Sequence, residues 1–335
     1  MRTRPLGQSG IEASVVGFGA WAIGGWMWGG TDEEASVGAV RAALDAGVNL
    51  IDTAPAYGFG RSEQIIARAI RGRRDRVVLA TKCGLAWHTP KGQVFFAADE
   101  KGIHEQGPIK VRRHLGPDSI RYEVEQSLLR LQTDRIDLYQ IHWQDPGTPI
   151  EDTMACLLRL KQEGKIRAVG VCNAGVGDLE RYRRIGPLDA DQERYSMLDR
   201  KMERDQIPYA ARHGMATLAY SPLEHGLLTG RIGTERTFGE GDLRRKNPLF
   251  QPVALMRTRV LLDRLAPIAR RRGASLTQLA IAWAIAEGGC THALAGARTP
   301  EQARENAAAA ELALSREERA EINGLLSEYA AGAPA

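Results

Sequence analysis

Short apolar runs alternate with longer amphipathic runs along most of the 335-residue chain. The apolar runs have the length of buried strands, and the amphipathic runs have the spacing of helices. The runs that predict strands are VVGFG near residue 15, VNLID at 48, VVLATK at 77, IDLYQIH at 136, IRAVGVCN at 166, DADQ at 189, MATLAY at 215 and THALAG at 291. Helical patterns separate nearly all of them, which predicts a parallel sheet.

The number of strands favours one parallel architecture over another. Eight strands close a (β/α)8 TIM barrel, and a Rossmann-type open sheet is the alternative. We expect one barrel domain over residues 1–335, with a small N-terminal β-hairpin that turns at 7–10. Two connections, 83–117 and 221–255, are longer than a barrel needs. Both follow the C-terminal ends of strands, where barrel enzymes build their sites, but their conformations cannot be derived from the sequence.

Helix boundaries carry familiar capping signals. The segment TDEEASVGAVRAALDAG begins with Thr31 as the expected N-cap, has acidic residues in its first turn and closes at Gly47. The segments SIRYEVEQSLLRLQ, IEDTMACLLRLKQEG and SLTQLAIAWAIAEGG follow the same rules. These signals support the alternation of strands with helices.

Composition and charge exclude several function classes. The chain is 43% hydrophobic and 26% charged, with a net charge of +4, and its basic runs at 71–76 and 270–272 fall at predicted helix ends. We therefore expect no nucleic-acid partner. The four cysteines are far apart, no segment predicts a signal peptide or a membrane span, and the histidines lack metal-site spacing. These features indicate a cytoplasmic protein with reduced thiols and no metal.

Three neighbouring strands end in ionisable residues that share a face with apolar residues. Because strand side chains alternate between two faces, Asp52, Lys82 and His142 each lie in phase with the apolar residues that precede them. The C-terminal ends of adjacent barrel strands converge, so these three side chains are expected at the barrel mouth, with Tyr57 on the following loop. Singly, each could be a capping, solvated or core residue, but together they indicate a site.

This group has a specific chemical use. A nearby ammonium favours ionisation of a tyrosine and makes it a better proton donor. Lys82 could supply that charge, Asp52 could keep the lysine protonated, and His142 could orient a substrate oxygen. The combination predicts a site that protonates a developing alkoxide.

The motifs LIDTAPAYG, ATKCG, LYQIHW, VGVCNA and GARTPEQAREN resemble those of the aldo-keto reductases over essentially the whole chain. The segments GFGAWAIGGWMWGGTDEE, SLLRLQTDRIDLYQIHWQDP and GLLTG are similar to the bacterial general stress and inositol-associated reductases. The resemblance implies a (β/α)8 barrel that binds NADP(H) without a Rossmann domain. It also implies a catalytic tetrad of Asp52, Tyr57, Lys82 and His142, with Tyr57 as the acid-base residue.

The segment GFGAWA, at 17–22, also fits a Rossmann fingerprint, but the glycine-rich WAIGGWMWGG that overlaps and follows it is unsuited to the helix that fingerprint requires. The resemblance instead implies cofactor contacts along the mouth loops. Gly19, Ala20 and Trp21 would flank the nicotinamide ribose, and Asn173 and Gln192 would hold the carboxamide. The remaining implied cofactor residues are Asp52, Tyr220 under the nicotinamide ring, Ser221, Pro222, Leu223 and Gly226 around the pyrophosphate, and Gly296, Arg298, Gln302 and Asn306 toward the adenosine.

The expected substrate is a small carbonyl compound. Trp21, Trp87 and Trp143 lie in or beside mouth loops, and an aromatic pocket would suit an uncharged aldehyde, ketone or sugar-like carbonyl. We therefore expect NADPH-dependent reduction of such a carbonyl to the alcohol. Two alternatives stay open: a redox-neutral sugar epimerase or isomerase with tightly bound NADP, and a non-catalytic cofactor-sensing scaffold. The substrate, the preferred direction and the oligomeric state are not determined by the sequence.

Overall fold

A computed structural model describes residues 1–286 and 288–332 of the chain. Eight parallel strands form a closed barrel, each hydrogen-bonded to the next and the last to the first. They are β3 (Val16–Gly19), β4 (Leu50–Asp52), β5 (Val78–Cys83), β9 (Ile136–Ile141), β10 (Ile166–Cys172), β11 (Ala190–Arg194), β12 (Ala216–Tyr220) and β13 (His292–Gly296). The predicted (β/α)8 barrel is confirmed, and the open Rossmann sheet is excluded.

Helices follow the barrel strands and pack around them. They are α1 (Glu33–Asp45), α2 (Arg61–Ile70), α3 (Pro117–Leu131), α4 (Ile150–Gln162), α5 (Val176–Ile185), α6 (Gln206–Arg212), α7 (Pro252–Arg271), α8 (Leu276–Ala284), α9 (Pro300–Ala308) and α10 (Arg316–Ala331). None of the helices in the described ranges combines the length and the apolar character needed to cross a membrane.

The N-cap predicted for α1 was wrong by one residue. Asp32 caps the helix, because its backbone is extended and its Oδ1 accepts a hydrogen bond from the Ala35 amide at 3.0 Å. Thr31 contacts the Ser36 hydroxyl instead, at 2.9 Å. Both residue types are good caps, so the sequence could not choose between neighbouring positions.

The hairpin of β1 (Thr3–Pro5) and β2 (Glu12–Ser14) lies against the inside of the barrel. Leu6 and Ile11 belong to the same apolar cluster as Leu50 and Leu138, whose side chains fill the barrel interior. Since the hairpin precedes the first barrel strand, it closes the end at which the strands begin. The opposite end, where the strands finish, is left for the site.

The long connection after β5 contains a small antiparallel sheet that the sequence did not predict. Its strands are β6 (Leu85–Ala86), β7 (Gln93–Ala98) and β8 (Ile109–Arg113), in the order β6-β8-β7. The connection after β12 is built from short 3-10 turns between residues 224 and 250. These two connections and the loop after β3 form the walls above the barrel mouth.

Candidate active site

The ammonium of Lys82 is the centre of a hydrogen-bonded group at the barrel mouth. Its Nζ donates to Asp52 Oδ1 at 2.6 Å, to the Thr53 carbonyl at 2.9 Å and to Tyr57 Oη at 3.3 Å. The Lys82 side chain is only 1% exposed. All three donor positions of the ammonium are therefore used, and one of them joins the lysine to the tyrosine.

Asp52 is held by two amides besides Lys82. Its Oδ2 accepts from Gln140 Nε2 at 3.0 Å and from Gln192 Nε2 at 2.9 Å, and Gln192 also donates to Gln140 Oε1 at 3.1 Å. Gln140 shares the inward phase of β9 with Leu138, yet sequence reasoning assigned it no role. A polar residue in phase with an apolar strand face was the available signal.

Tyr57 reaches the group through a tight turn after β4. Gly58 and Gly60 both have positive φ, at 69° and 97°, and the Tyr57 amide donates to the Ala54 carbonyl at 3.1 Å. The ring lies edge-on to His142, with 5.8 Å between centroids, and is stacked at 6.1 Å from Trp21. The structure thus brings together all four residues of the predicted tetrad.

Burial dominates the protonation of the tetrad. It raises the pKa of Tyr57 to about 12, although the Lys82 ammonium lowers that pKa in part. The sequence prediction of a more acidic tyrosine had the right sign for Lys82 but omitted the larger effect of burial. Burial also lowers the pKa of His142 to well below its usual value, and Lys82 lowers it further.

Lys82 keeps its charge despite burial. Burial lowers the pKa of the lysine, but the Asp52 carboxylate and the Tyr57 oxygen raise it more, so that it ends above its usual value. The resting site at neutral pH therefore contains a protonated phenol, an ammonium and an uncharged imidazole.

A cleft of about 810 Å³ runs across the barrel mouth beside Tyr57 and His142. It has room for a dinucleotide and a small substrate together. Every residue that the sequence assigned to cofactor binding lines it: Gly19, Ala20, Trp21, Asp52, Asn173, Gln192, Tyr220, Ser221, Pro222, Leu223, Gly226, Gly296, Arg298, Gln302 and Asn306. The positions predicted from distant parts of the chain thus face one continuous space.

Several of these side chains are already bonded to the protein. Asn173 Nδ2 donates to the His142 carbonyl at 3.0 Å, and its Oδ1 accepts from Tyr220 Oη at 2.9 Å. The Arg298 guanidinium donates to the Gly30 carbonyl at 2.6 Å, so in this structure it ties down the loop after β3. Arg298 nevertheless lines the cleft and remains within reach of an anion.

The connection after β12 bends sharply beside the cleft. Ser221, Glu224, His225 and Gly226 all have positive φ, and three of them are not glycine. Such conformations are uncommon and persist where the surroundings impose them. The Glu224 carboxylate, fully buried, accepts from Arg194 and from Ser196 and so anchors the turn.

Polar atoms along the cleft lack partners among the described residues. They are Trp28 Nε1, His225 Nδ1 and Thr277 Oγ1, all buried. Buried polar atoms normally find hydrogen-bond partners, so these fit a polar ligand that lies along the cleft. The sequence did not single out His225 or Thr277, and their spacing carried no signal.

Aromatic side chains form the wall on the Tyr57 side. Trp21 and Trp143, both predicted, line the cleft together with Phe95 and Phe96 of β7. The prediction for Trp87 was wrong: it does not line the cleft, but packs edge-on against Phe59 at 5.3 Å. The position of a residue in a mouth loop does not reveal whether its side chain faces the cleft or packs on the outer side of the loop.

A family model described as the aldo/keto reductase family matches residues 15–327. The chain belongs to this family. The family predicted from the motifs is thereby confirmed, and with it the enzyme class, an NAD(P)-dependent oxidoreductase that acts on carbonyl groups.

Two curated members of the family resemble the chain over nearly its whole length. Aldo-keto reductase YhdN of Bacillus subtilis (strain 168) is 43% identical over 329 residues, which cover 97% of this chain and 94% of the relative. The NADH-specific methylglyoxal reductase of Escherichia coli (strain K12) is 40% identical over 321 residues, covering 94% and 95%.

Solved structures of aldo/keto reductases agree with the fold. The glycerol dehydrogenase AKR11B4 from Gluconobacter oxydans is 38% identical, with a TM-score of 0.86, over 99% of this chain and 97% of that one. An aldo/keto reductase from Klebsiella pneumoniae, solved in complex with NADP and acetate, is 28% identical with a TM-score of 0.71, over 97% and 96%.

Within the described ranges, no group of three or more histidine, cysteine, aspartate or glutamate side chains is arranged to hold a metal ion. All four cysteines are buried and unpaired.

Proposed function

We propose that this aldo/keto reductase reduces an aldehyde or ketone to the alcohol with NADPH, and that Tyr57 delivers the proton. The observation that carries the proposal is the contact between Tyr57 Oη and the buried ammonium of Lys82, at 3.3 Å. A phenol placed against an ammonium at the edge of a cleft can give up its proton and leave a stabilised phenolate.

The cleft fits a nicotinamide dinucleotide. Its volume, its unpartnered polar atoms and the Arg298 guanidinium near one end support NADP(H) as the cofactor. A related enzyme is named as NADH-specific and a related structure contains NADP, so members of the family differ in this choice. We propose NADP(H) because a guanidinium is suited to a 2′-phosphate.

Each residue of the tetrad has a separate role in the proposed reaction. When bound, NADP(H) supplies the hydride that reduces the carbonyl carbon. Tyr57 donates its proton to the carbonyl oxygen, and Lys82, kept charged by Asp52, stabilises the phenolate that results. His142 is neutral and can donate one ring N–H to the same oxygen, which orients the substrate. Trp21 and Trp143 line this part of the cleft and offer apolar surface to the substrate.

The decisive experiment is Tyr57→Phe, assayed with a panel of aldehydes, ketones and keto-sugars in the presence of NADPH or NADH. We expect carbonyl reduction to fall by about 10²- to 10⁴-fold, because the proton donor is gone. The dissociation constant for NADPH should change by less than about threefold, since only one hydroxyl is removed.

Tyr122→Phe is the matched control, because Tyr122 is 47% exposed on α3 and does not line the cleft. It should keep full activity. Wild-type turnover by Tyr57→Phe would refute the proton-donor role. Conversion of a sugar without net consumption of NADPH would favour an epimerase or isomerase, and cofactor binding without any turnover would favour a scaffold.

A further inference from the structure

Two carboxyl groups lie beside the turn that carries Asn173, outside the tetrad. Asp191 and Glu193 are two residues apart on β11 and so project from the same face of the strand. Asp191 is completely buried, and neither of its carboxyl oxygens has a hydrogen-bond donor among the described residues. The Glu193 carboxyl group is close enough to interact with Asp191 electrostatically, and its negative charge disfavours ionisation of Asp191.

Glu193 is bonded directly to the turn. Its Oε1 accepts from the Ala174 amide at 2.7 Å, and Ala174 is buried. The preceding residue, Asn173, has a φ of 55°, an uncommon conformation for a residue other than glycine. Ala174 and Asn173 are consecutive, so the carboxylate holds the turn in the conformation that presents the Asn173 side chain to the cleft.

The proton balance of the pair is set near neutral pH. Burial raises the pKa of Glu193 to about 7, against the opposing effect of the hydrogen bond from the Ala174 amide. Burial and the Glu193 charge raise the pKa of Asp191 to well above its usual value. Two carboxyl groups this close do not both ionise readily, so they share a proton below neutrality.

Titratable groups from the neighbouring strands face this pair without titrating near pH 7. Cys172 of β10, Tyr220 of β12 and Cys290 before β13 all interact with it electrostatically, and burial raises the pKa of each. They therefore stay uncharged at neutral pH. The adjacent Arg194 is bonded to Glu224 on the other side of the strand, at 2.5 Å.

We propose that Glu193 is a positioning residue for Asn173, and that proton uptake by the Glu193–Asp191 pair weakens cofactor binding as the pH falls through neutrality. The inference rests on the proposed function in so far as Asn173 contacts the nicotinamide part of NADP(H). A hydrogen bond to an ionised acceptor is roughly twice as strong as one to a neutral acceptor. Protonation therefore loosens the Ala174 contact and the turn with it.

The test measures NADPH binding by quenching of the protein's tryptophan fluorescence, since Trp21 and Trp28 line the cleft. Wild type, Glu193→Gln and Glu193→Ala are compared between pH 6 and 8.5. In wild type the dissociation constant should rise by about three- to tenfold as the pH falls. Glu193→Gln, which keeps an acceptor but cannot titrate, should retain only the slope that the 2′-phosphate itself contributes, with its pKa near ~6.

Asp189→Asn is the matched control. Asp189 accepts from the Val169 amide at 3.0 Å, between the same two strands but at the end far from the cleft. This variant should keep the wild-type pH profile, whereas Glu193→Ala should bind NADPH more weakly, by about tenfold, at high pH.

The inference would be overturned if the NADPH dissociation constants of wild type and Glu193→Gln had the same pH dependence. It would also be overturned if Asp189→Asn lost its pH dependence as much as Glu193→Gln, since that would indicate a general loss of stability. Binding is measured without turnover, so the two proposals can fail separately. NADPH binding without any carbonyl reduction would refute the proposed function alone. Absence of NADPH binding by wild type would refute both.

Discussion

Among the described residues, Asp52 is the only carboxylate that contacts the Lys82 ammonium, and replacing it with asparagine removes that contact. Both side chains are almost completely buried, at 4% and 1% exposure, and the two charges are 2.6 Å apart. Removal of one partner from a buried ion pair costs about 3–5 kcal/mol, because the other charge is left in a site of low polarity. The asparagine NH2 would also face the Gln140 amide or the Gln192 amide, both of which donate to Asp52 in wild type.

The expected change can be measured as a melting temperature. With about 2.1 cal/mol/K of unfolding entropy per residue, a loss of that size corresponds to a decrease of about 4–7 °C for 335 residues. For wild type and Asp52→Asn at pH 7, circular dichroism melts give the melting temperature, and urea titrations independently give the free energy of unfolding. Carbonyl reduction should fall as well, because Lys82 without its carboxylate partner loses its proton more readily and then no longer stabilises the Tyr57 phenolate.

The pH dependence of the loss identifies its cause. In folded wild type the pKa of Lys82 is raised above its value in the unfolded chain. The stability that the lysine charge contributes is therefore fully present below the unfolded-chain pKa, and it is lost only as the pH rises through the higher pKa of the folded protein. Without Asp52 the folded pKa should fall below the unfolded one, and the variant should gain stability as the pH rises toward the lysine's ordinary pKa. We therefore expect the difference in the free energy of unfolding between wild type and Asp52→Asn to become smaller from pH 7 to pH 9.5.

Asp137→Asn supplies the control for this prediction. Asp137 is 1% exposed and pairs with Arg74 at 2.8 Å, but arginine cannot lose its proton in this range. The destabilisation of Asp137→Asn should therefore be the same at pH 7 and pH 9.5. Two results would show that Lys82 does not depend on Asp52 for its charge. One is a decrease in the free energy of unfolding of less than about 1 kcal/mol in Asp52→Asn, and the other is a difference from wild type that stays constant with pH.

Two further variants test the cofactor end of the cleft and the Tyr57 turn. Arg298→Ala should raise the KM for NADPH by about tenfold and leave that for NADH unchanged if the guanidinium binds the 2′-phosphate; equal increases would mean that Arg298 acts by holding Gly30. Gly58→Ala should destabilise the protein by about 1–3 kcal/mol and lower kcat, because φ is 69° and the new Cβ would lie 2.4 Å from the Gly24 carbonyl oxygen. Gly72→Ala, at φ 75° with open space around it, measures the conformational part alone, and a denaturant titration that gave equal losses for the two would contradict the steric argument.

The tetrad could be predicted because strand phase is a local property. Once Asp52, Lys82 and His142 were seen in phase with apolar residues, barrel closure left their side chains few places to go. Gln140 obeyed the same rule, but an amide in phase has no distinctive chemistry until its partner, Asp52, is seen.

The predictions that failed depended on packing beyond the strand. Trp87 and Trp143 both follow strand ends, yet only Trp143 faces the cleft, because the sheet of β6, β7 and β8 sets which side of the connection points inward. The protonation of Tyr57 likewise could not be derived from its neighbours along the chain. The desolvation that raises its pKa to about 12 arises from residues that surround it only in the fold, among them Trp21 and His142.

The sequence by itself determined the barrel, the order of its strands and the convergence of Asp52, Lys82 and His142 at its mouth, since these follow from periodicity and strand phase. The tertiary structure alone decided how the mouth is closed and which charges survive there. Lys82 stays charged because Asp52 arrives from the neighbouring strand, 30 residues earlier in the chain. Glu193 reaches the turn after Asn173 because parallel pairing sets Cys172 opposite Gln192. Such contacts depend on register and burial, which only the folded chain establishes.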